Sequence, residues 1–230
     1  IRPMGHYLLG ILMVIQRSAG GNTAYFLGEV SNIGSKLYFP AAYALKEPVP
    51  ILILIGLGLL FGTYRVSKTI LAKKRHKFIN YFSTHTGEFA ILLFTVIYAA
   101  WSINSPLNIG VRHLMPIMPF MYMLGAESVK KWVQGGALKK SIKVGVVSLL
   151  TLWFFADVAL AYPYYLSYYN EFVGTKNGWQ YITDSNYDWG QDLKRLETYV
   201  ESNGIDRIAV DYFGAGNPQY YMQGIAENWN

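Results

Sequence analysis

The chain has 230 residues, with 20 Lys and Arg against 14 Asp and Glu, and 52% of it is hydrophobic and 16% aromatic, too apolar for an ordinary soluble domain and too polar for a bare helix bundle. The formal charge of +6 does not mark a nucleic-acid binder, because its cations abut apolar segments instead of forming a phosphate-tracking stripe. There is no cysteine, which excludes disulfides and thiol chemistry, and the four histidines are scattered, with no zinc-ligand spacing among them.

The chain starts at Ile1 without signal-peptide regions and stops in mid-pattern at Asn230, so it reads as a portion of a longer protein. From His6 to Gln16 it is apolar for only about ten residues before Arg17 and a Gly-rich break, which fits an interfacial or re-entrant helix. Residues 25–50 are rich in Gly, aromatic and polar side chains. Two readings stand for them: a connector with an aromatic belt, or a lipid-contacting lid in which Lys36 and Lys46 offer charge to an anionic headgroup.

Four spans follow, at about 49–64, 89–103, 113–126 and 144–162, the first three short against the roughly 20 residues that cross a bilayer. Interfacial aromatics such as Tyr64 and Trp101 extend them. Arg65, Lys68, Lys73, Lys74, Arg75 and Lys77 lie between the first two, and Lys130, Lys131, Lys139, Lys140 and Lys143 between the last two. Cytoplasmic loops collect Lys and Arg, so both stretches are expected inside, and the first 49 residues, the hairpin tip around Arg112 and everything after Tyr162 outside.

The turn between the second and third spans carries Arg112 and His113 at the start of an apolar run that also holds Pro116 and Pro119. A guanidinium there grips phosphate oxygens with two parallel hydrogen bonds, or simply snorkels to headgroups. The prolines unwind the backbone behind it, which at membrane depth is tolerated where it lines a cavity. Asp157 is the one carboxylate well inside a span, and it is either functional, or reaches the interface from near the span's outer end, or pairs with a cation such as Arg112.

Nine of the fourteen acidic residues follow Pro163, which points to an outward-facing soluble tail. The run from Asp184 to Arg195 fails as a calcium loop, with Trp189 and Arg195 where Gly and Glu are needed. Asp188 as N-cap and Gln191 in a capping box explain it more simply, with Leu193, Leu196 and Val200 on one face and Asn203-Gly204 as the stop. Residues 207–213 read as a strand. The fold class is thus mainly α: a polytopic bundle at 49–162 after an extracytoplasmic loop at 1–48, and a small, incomplete extracytoplasmic α/β domain at 163–230.

Three segments, AYFLGEVSNIGSKLYFPAAYALKEPVP (24–50), NIGVRHLMPIMPF (108–120) and YPYYLSYYNEFVGTKNGWQYITDSNYDWGQDLKRLETYV (162–200), together resemble the later part of bacterial membrane glycosyltransferases. That group is similar to the protein O-mannosyltransferases of glycosyltransferase family 39, in the polyprenyl-phosphate-sugar-dependent GT-C class. The likeness covers nearly the whole chain, although Gly34-Ser-Lys-Leu-Tyr-Phe-Pro40 departs from the Gly-Trp-Trp-Tyr-Tyr-Phe-Pro that members often carry.

The resemblance implies a multi-pass protein of the inner (plasma) membrane that moves a sugar from a polyprenyl-phosphate donor to an acceptor on the outer face, the acceptor being a protein, lipid or glycan. It implies an acidic catalytic base upstream of Ile1, so these residues alone are expected to be inactive. It gives Arg112, His113 and, less directly, Lys46 contact with the donor phosphate. A divalent metal is compatible with such chemistry, but the sequence lends it no support. The alternative class is a non-catalytic membrane protein, either a transporter of lipid-linked saccharide or a scaffold.

Overall fold

The computed structural model describes residues 2–71, 75–135 and 138–229. It is mainly helical. In chain order come α1 (Arg2–Gly20), β1 (Ala24–Phe26), β2 (Glu29–Ser31), α2 (Tyr38–Lys46), α3 (Val49–Leu71), α4 (Arg75–Thr84), α5 (Thr86–Asn104), α6 (Met118–Gln134), α7 (Lys140–Ala161), α8 (Leu193–Ser202), β3 (Ile208–Val210), α9 (Pro218–Tyr221) and β4 (Ala226–Asn228).

Three helices are long and apolar enough to cross a membrane: Val49–Lys68, Thr86–Asn104 and Lys140–Ala161. They are longer than the apolar runs in the sequence because helical backbone continues through flanking polar residues. The expected span at 113–126 is where the two differ. The structure makes Val111–Leu114 a 3-10 turn and starts α6 only at Met118, since Pro116 and Pro119 remove backbone donors and favour a first-turn position. α6 then runs through Glu127, Lys130 and Lys131 and has 17 residues. The short apolar run near the N-terminus lies within the 19-residue α1, which buries none of its residues.

α3 and α6 approach most closely where small residues meet. A Cβ built on Gly58 would lie 3.0 Å from the Gly125 carbonyl oxygen, and one on Gly125 would lie 3.4 Å from Ile55. Such close backbone approach lets two helices pack tightly, as in pairs of membrane helices. Only 22%, 11% and 6% of the three apolar stretches is buried, so most of their surface faces outward.

The Lys-rich ends of the helices lie together. Lys131 reaches Glu88 of α5 at 3.2 Å and Glu127 at 3.3 Å. Lys143 is buried and donates to the carbonyls of Trp132 (2.9 Å) and Gly135, capping the negative end of α6. Lys73 and Lys74 lie outside the described residues.

At the opposite helix ends sits a layer built from α2, the 105–117 turn and the 163–190 stretch. Its core is Tyr38, Phe39, Ala42, Leu114, Ile117 and Ile182, with Phe26, Tyr98 and Ile103 packed against it. The region read as a connector or lid is thus ordered structure: an antiparallel hairpin of β1 and β2, then α2. Beyond the layer, α8 packs Leu193 and Val200 against Met222 and Ala226, beside the parallel β3–β4 pair.

The capping expectation for α8 is corrected. Asp188 Oδ1 accepts from Gly190 N at 2.7 Å and Gln191 Oε1 from Trp189 N at 2.7 Å, so both side chains close local turns and the helix begins later, at Leu193.

Gly58→Leu is expected to destabilise the α3–α6 pair by about 1–3 kcal/mol through overpacking. Gly56→Leu, at a site with nothing within 4 Å of its Cβ position, is expected to leave stability unchanged. Thermal unfolding in detergent checks this, and equal melting temperatures for the two variants would remove Gly58 as a packing point.

Candidate functional site

The three segments that carry the family resemblance converge in the layer. Tyr25 Oη donates to the Gln180 carbonyl (2.9 Å) and Leu27 N to the Tyr181 carbonyl (2.8 Å), which fastens the hairpin to the 163–190 stretch. Three buried asparagines complete the joins. Asn108 Oδ1 accepts from Ser35 N at 2.5 Å. Asn170 Nδ2 donates to the carbonyls of Ala44 (2.6 Å) and Glu47 (2.7 Å), while its N–H reaches Leu45 O at 2.9 Å.

Asn186 Oδ1 accepts from Val111 N at 2.8 Å, and its Nδ2 donates to Tyr38 Oη at 2.9 Å. Tyr38 is itself buried, and burial pushes its phenol up to about 12, so it stays a neutral hydroxyl. Next to this joint Ser185 Oγ donates to Ile109 O. Gly110, with φ of 123°, passes so close to Ser185 that a Cβ would sit 2.2 Å from Oγ.

Arg112 follows directly. Its guanidinium lies 4.4 Å from the centre of the Trp189 ring, a cation–π stack on a tryptophan that is itself 47% exposed. Among the described residues no carboxylate pairs with Arg112. The guanidinium N–H groups lie in the guanidinium's own plane and not toward the ring, so they remain available to an anion.

His113 faces inward instead. It meets the Phe39 ring at 6.4 Å, and its Nε2 is buried with no hydrogen-bond partner among the described residues. Burial, reinforced by the Arg112 charge, lowers its pKa and keeps the ring neutral at pH 7. The Lys46 ammonium donates to the carbonyls of Leu166 (2.8 Å) and Asn186 (2.6 Å) and lies 4.5 Å from the centre of the Tyr169 ring. It acts as a strut between α2 and the 163–190 stretch. Asn186 thus bonds both Lys46 and the Val111 N–H next to Arg112, and of the two cations Arg112 is the one whose side chain has no hydrogen bond among the described residues.

Asp157 accepts from Tyr168 Oη, so its partner is a phenol and not Arg112. Beside it Trp153 Nε1 donates to Glu171 Oε1 at 2.6 Å, and the pair of contacts fixes the C-terminal half of α7 to the layer. A second opening, of about 590 Å³, lies between the hairpin and the 34–36 loop, with Glu29, Lys36, Ser31, Ser35 and Asn108 on its walls. Among the described residues no group of His, Asp and Glu is placed to hold a metal ion.

Sequence reasoning missed Trp189 and Asn186 as site residues, because it assigned the Asp184 to Arg195 run to domain structure. The one available signal was a tryptophan between turn residues, with no apolar run to bury it. Comparison with protein-family models, curated proteins and solved structures finds no match for this chain.

Burial lowers the Lys46 pKa to about 7, against about 10.4 in an unfolded chain. Between these values the unfolded state binds more protons, so stability rises with pH from about 7 to 10, and the full penalty stands below 7. Unfolding at pH 7 and at pH 9.5 is expected to show this gain in the unmodified protein and to lose it in Lys46→Met. Equal gains in both would place the titration elsewhere.

Proposed function

We propose that the chain belongs to an integral-membrane glycosyltransferase that takes a sugar from a polyprenyl-phosphate-linked donor and passes it to an acceptor on the outer face of the membrane. One observation carries this reading: the Arg112 guanidinium stacked on Trp189, uncommitted to any described carboxylate, at the helix ends opposite the Lys-rich stretches. The convergence of the 24–50, 108–120 and 162–200 segments around it supports the same reading, since these are the segments of the family resemblance.

In the reaction the bond from the sugar's anomeric carbon to the donor phosphate oxygen breaks, and a bond from that carbon to an acceptor oxygen or nitrogen forms. Negative charge grows on the departing phosphate. Two parallel N–H groups of Arg112 stabilise that charge, and the Trp189 face holds the guanidinium plane so that little reorganisation is needed. The acceptor's proton passes to a carboxylate, which the resemblance assigns to a segment preceding Ile1. Lys46 and His113 sit one layer deeper, shaping the ground on which Arg112 stands. The 590 Å³ opening with Glu29 and Lys36 offers room for the acceptor or the sugar.

Orientation follows from charge. The Lys-rich ends of α3, α6 and α7 are cytoplasmic and the layer is extracytoplasmic, with the inner membrane as the host. Single cysteines are introduced without background in this cysteine-free chain. Variants at Gly28 and Lys176 are expected to react with an impermeant thiol reagent in intact cells, and a variant at Lys139 only after lysis. Labelling of Lys139→Cys in intact cells would invert the orientation and sink the outer-face site.

Arg112→Lys in the intact protein is expected to lower sugar transfer, or donor affinity, roughly ten- to a hundredfold, matching about 1.5–3 kcal/mol for one charge-assisted hydrogen bond. Arg207→Lys is the control, since Arg207 is exposed and pairs with Glu227 at the surface. Turnover of a polyprenyl-phosphate sugar at matched protein level gives the answer. Unchanged turnover and affinity in Arg112→Lys would return Arg112 to a membrane anchor, and donor binding without any transfer would favour the lipid-linked-saccharide transporter.

A further inference from the structure

A cleft of about 570 Å³ opens between α3, α6 and α7, away from the Arg112 layer. Its walls are apolar along most of their length. α6 contributes Gly125, Ala126, Val129 and Val133, and α7 contributes Val144 and Val147, all in the three- and four-residue steps that keep side chains on one helix face. The close approach of α3 and α6 at Gly58 and Gly125 forms its floor, and Gly125 and Val129 are buried there.

The α6 wall, from Tyr122 to Gln134, is about 18 Å long at the helical rise. That is close to the roughly 15 Å of hydrocarbon in one leaflet.

One end of the cleft differs in chemistry. Lys130, Gln134 and Lys140 line it, at the end of the bundle that carries the second cationic stretch. Lys130 is 64% exposed and holds Glu127 at 3.7 Å, a loose surface pair that leaves ammonium donors free. Among the described residues no ion pair engages Lys140.

An apolar slot of one-leaflet length that ends in two cations at interface depth matches one kind of molecule: hydrocarbon with an anionic head. A neighbouring protein helix would fill the slot without using the cations. We propose that this cleft binds one anionic phospholipid of the cytoplasmic leaflet, with an acyl chain along α6 and α7 and the headgroup phosphate between Lys130 and Lys140. The inference depends on the membrane reading of these helices and not on sugar transfer. Its failure and that of the glycosyltransferase reading are therefore separately visible.

Native mass spectrometry of the intact protein in detergent, with phosphatidylglycerol and phosphatidylcholine of identical chains added at equal concentration, tests it. The unmodified protein is expected to keep one phosphatidylglycerol about tenfold better than phosphatidylcholine. Lys130→Gln combined with Lys140→Gln is expected to erase that preference, whereas Lys176→Gln combined with Lys194→Gln keeps it. Val144→Trp, which fills the cleft from an exposed position, is expected to lower retention of both lipids. Glycerophosphoglycerol, the head without chains, is expected not to be retained.

Equal retention of the two lipids by the unmodified protein overturns the proposal. So does a headgroup preference that survives loss of both lysines. Retention of neither lipid by folded protein assigns the cleft to a protein helix instead. Thermal unfolding of each variant shows whether it is folded, and the lysine pair, lying on the surface, keeps the test open should Val144→Trp fail to fold.

Discussion

Amide side chains placed where water cannot reach hold the layer around Arg112 in one arrangement. Asn108, Asn170 and Asn186 are each 1% exposed or less, and each bonds to backbone far away in sequence. A buried amide without partners costs about 1–3 kcal/mol, so each asparagine penalises any packing in which its loop sits elsewhere. Loops alone would be poor platforms, since the hydrophobic side chains between them tolerate sliding. Directional hydrogen bonds remove that freedom, and through Asn186 they set the backbone at Val111 and hence the place of Arg112.

The two ends of the bundle solve different electrostatic problems. At the Lys-rich end, Glu88 and Glu127 flank Lys131 and the α6 carboxyl-terminal carbonyls receive Lys143, while Lys140 has no ion pair among the described residues. At the layer end, cations meet ring faces and carbonyls instead. Arg112 lies over Trp189 and Lys46 over Tyr169, whereas Arg195, 4.5 Å from the Tyr164 ring centre, also pairs with the Asp192 carboxylate. A ring face offsets part of the loss of water without cancelling the charge of Arg112. Among the described residues no carboxylate pairs with that guanidinium.

Between the ends, α3 and α6 touch through glycine and α7 leaves a gap beside them. The gap is a consequence of side-chain size. Valine and alanine on the facing stripes of α6 and α7 do not fill the space that the helix axes define, and it is this space that the proposed acyl chain would occupy. The same short side chains that permit close approach on one face of α6 therefore open a slot on the next.

By itself, the sequence determined the helical character, the apolar segments at 49–64, 89–103 and 144–162, the cationic stretches between them and the apolar face of α8. These are local properties: runs of apolar residues, helical periodicity and clustered charge act on neighbours in the chain. It also singled out Arg112, because an arginine beside prolines at the head of an apolar run is unusual wherever the chain folds. Only the tertiary structure decided that the 113–126 run divides into a 3-10 turn and a later helix, that Asp157 bonds Tyr168, and that Asp188 closes a turn without capping α8. The pairing of Arg112 with Trp189 and the roles of Asn108, Asn170 and Asn186 likewise belong to tertiary structure. Each joins residues separated by tens of positions, and no periodicity or spacing in a single sequence records which distant carbonyl or ring a buried polar side chain will meet.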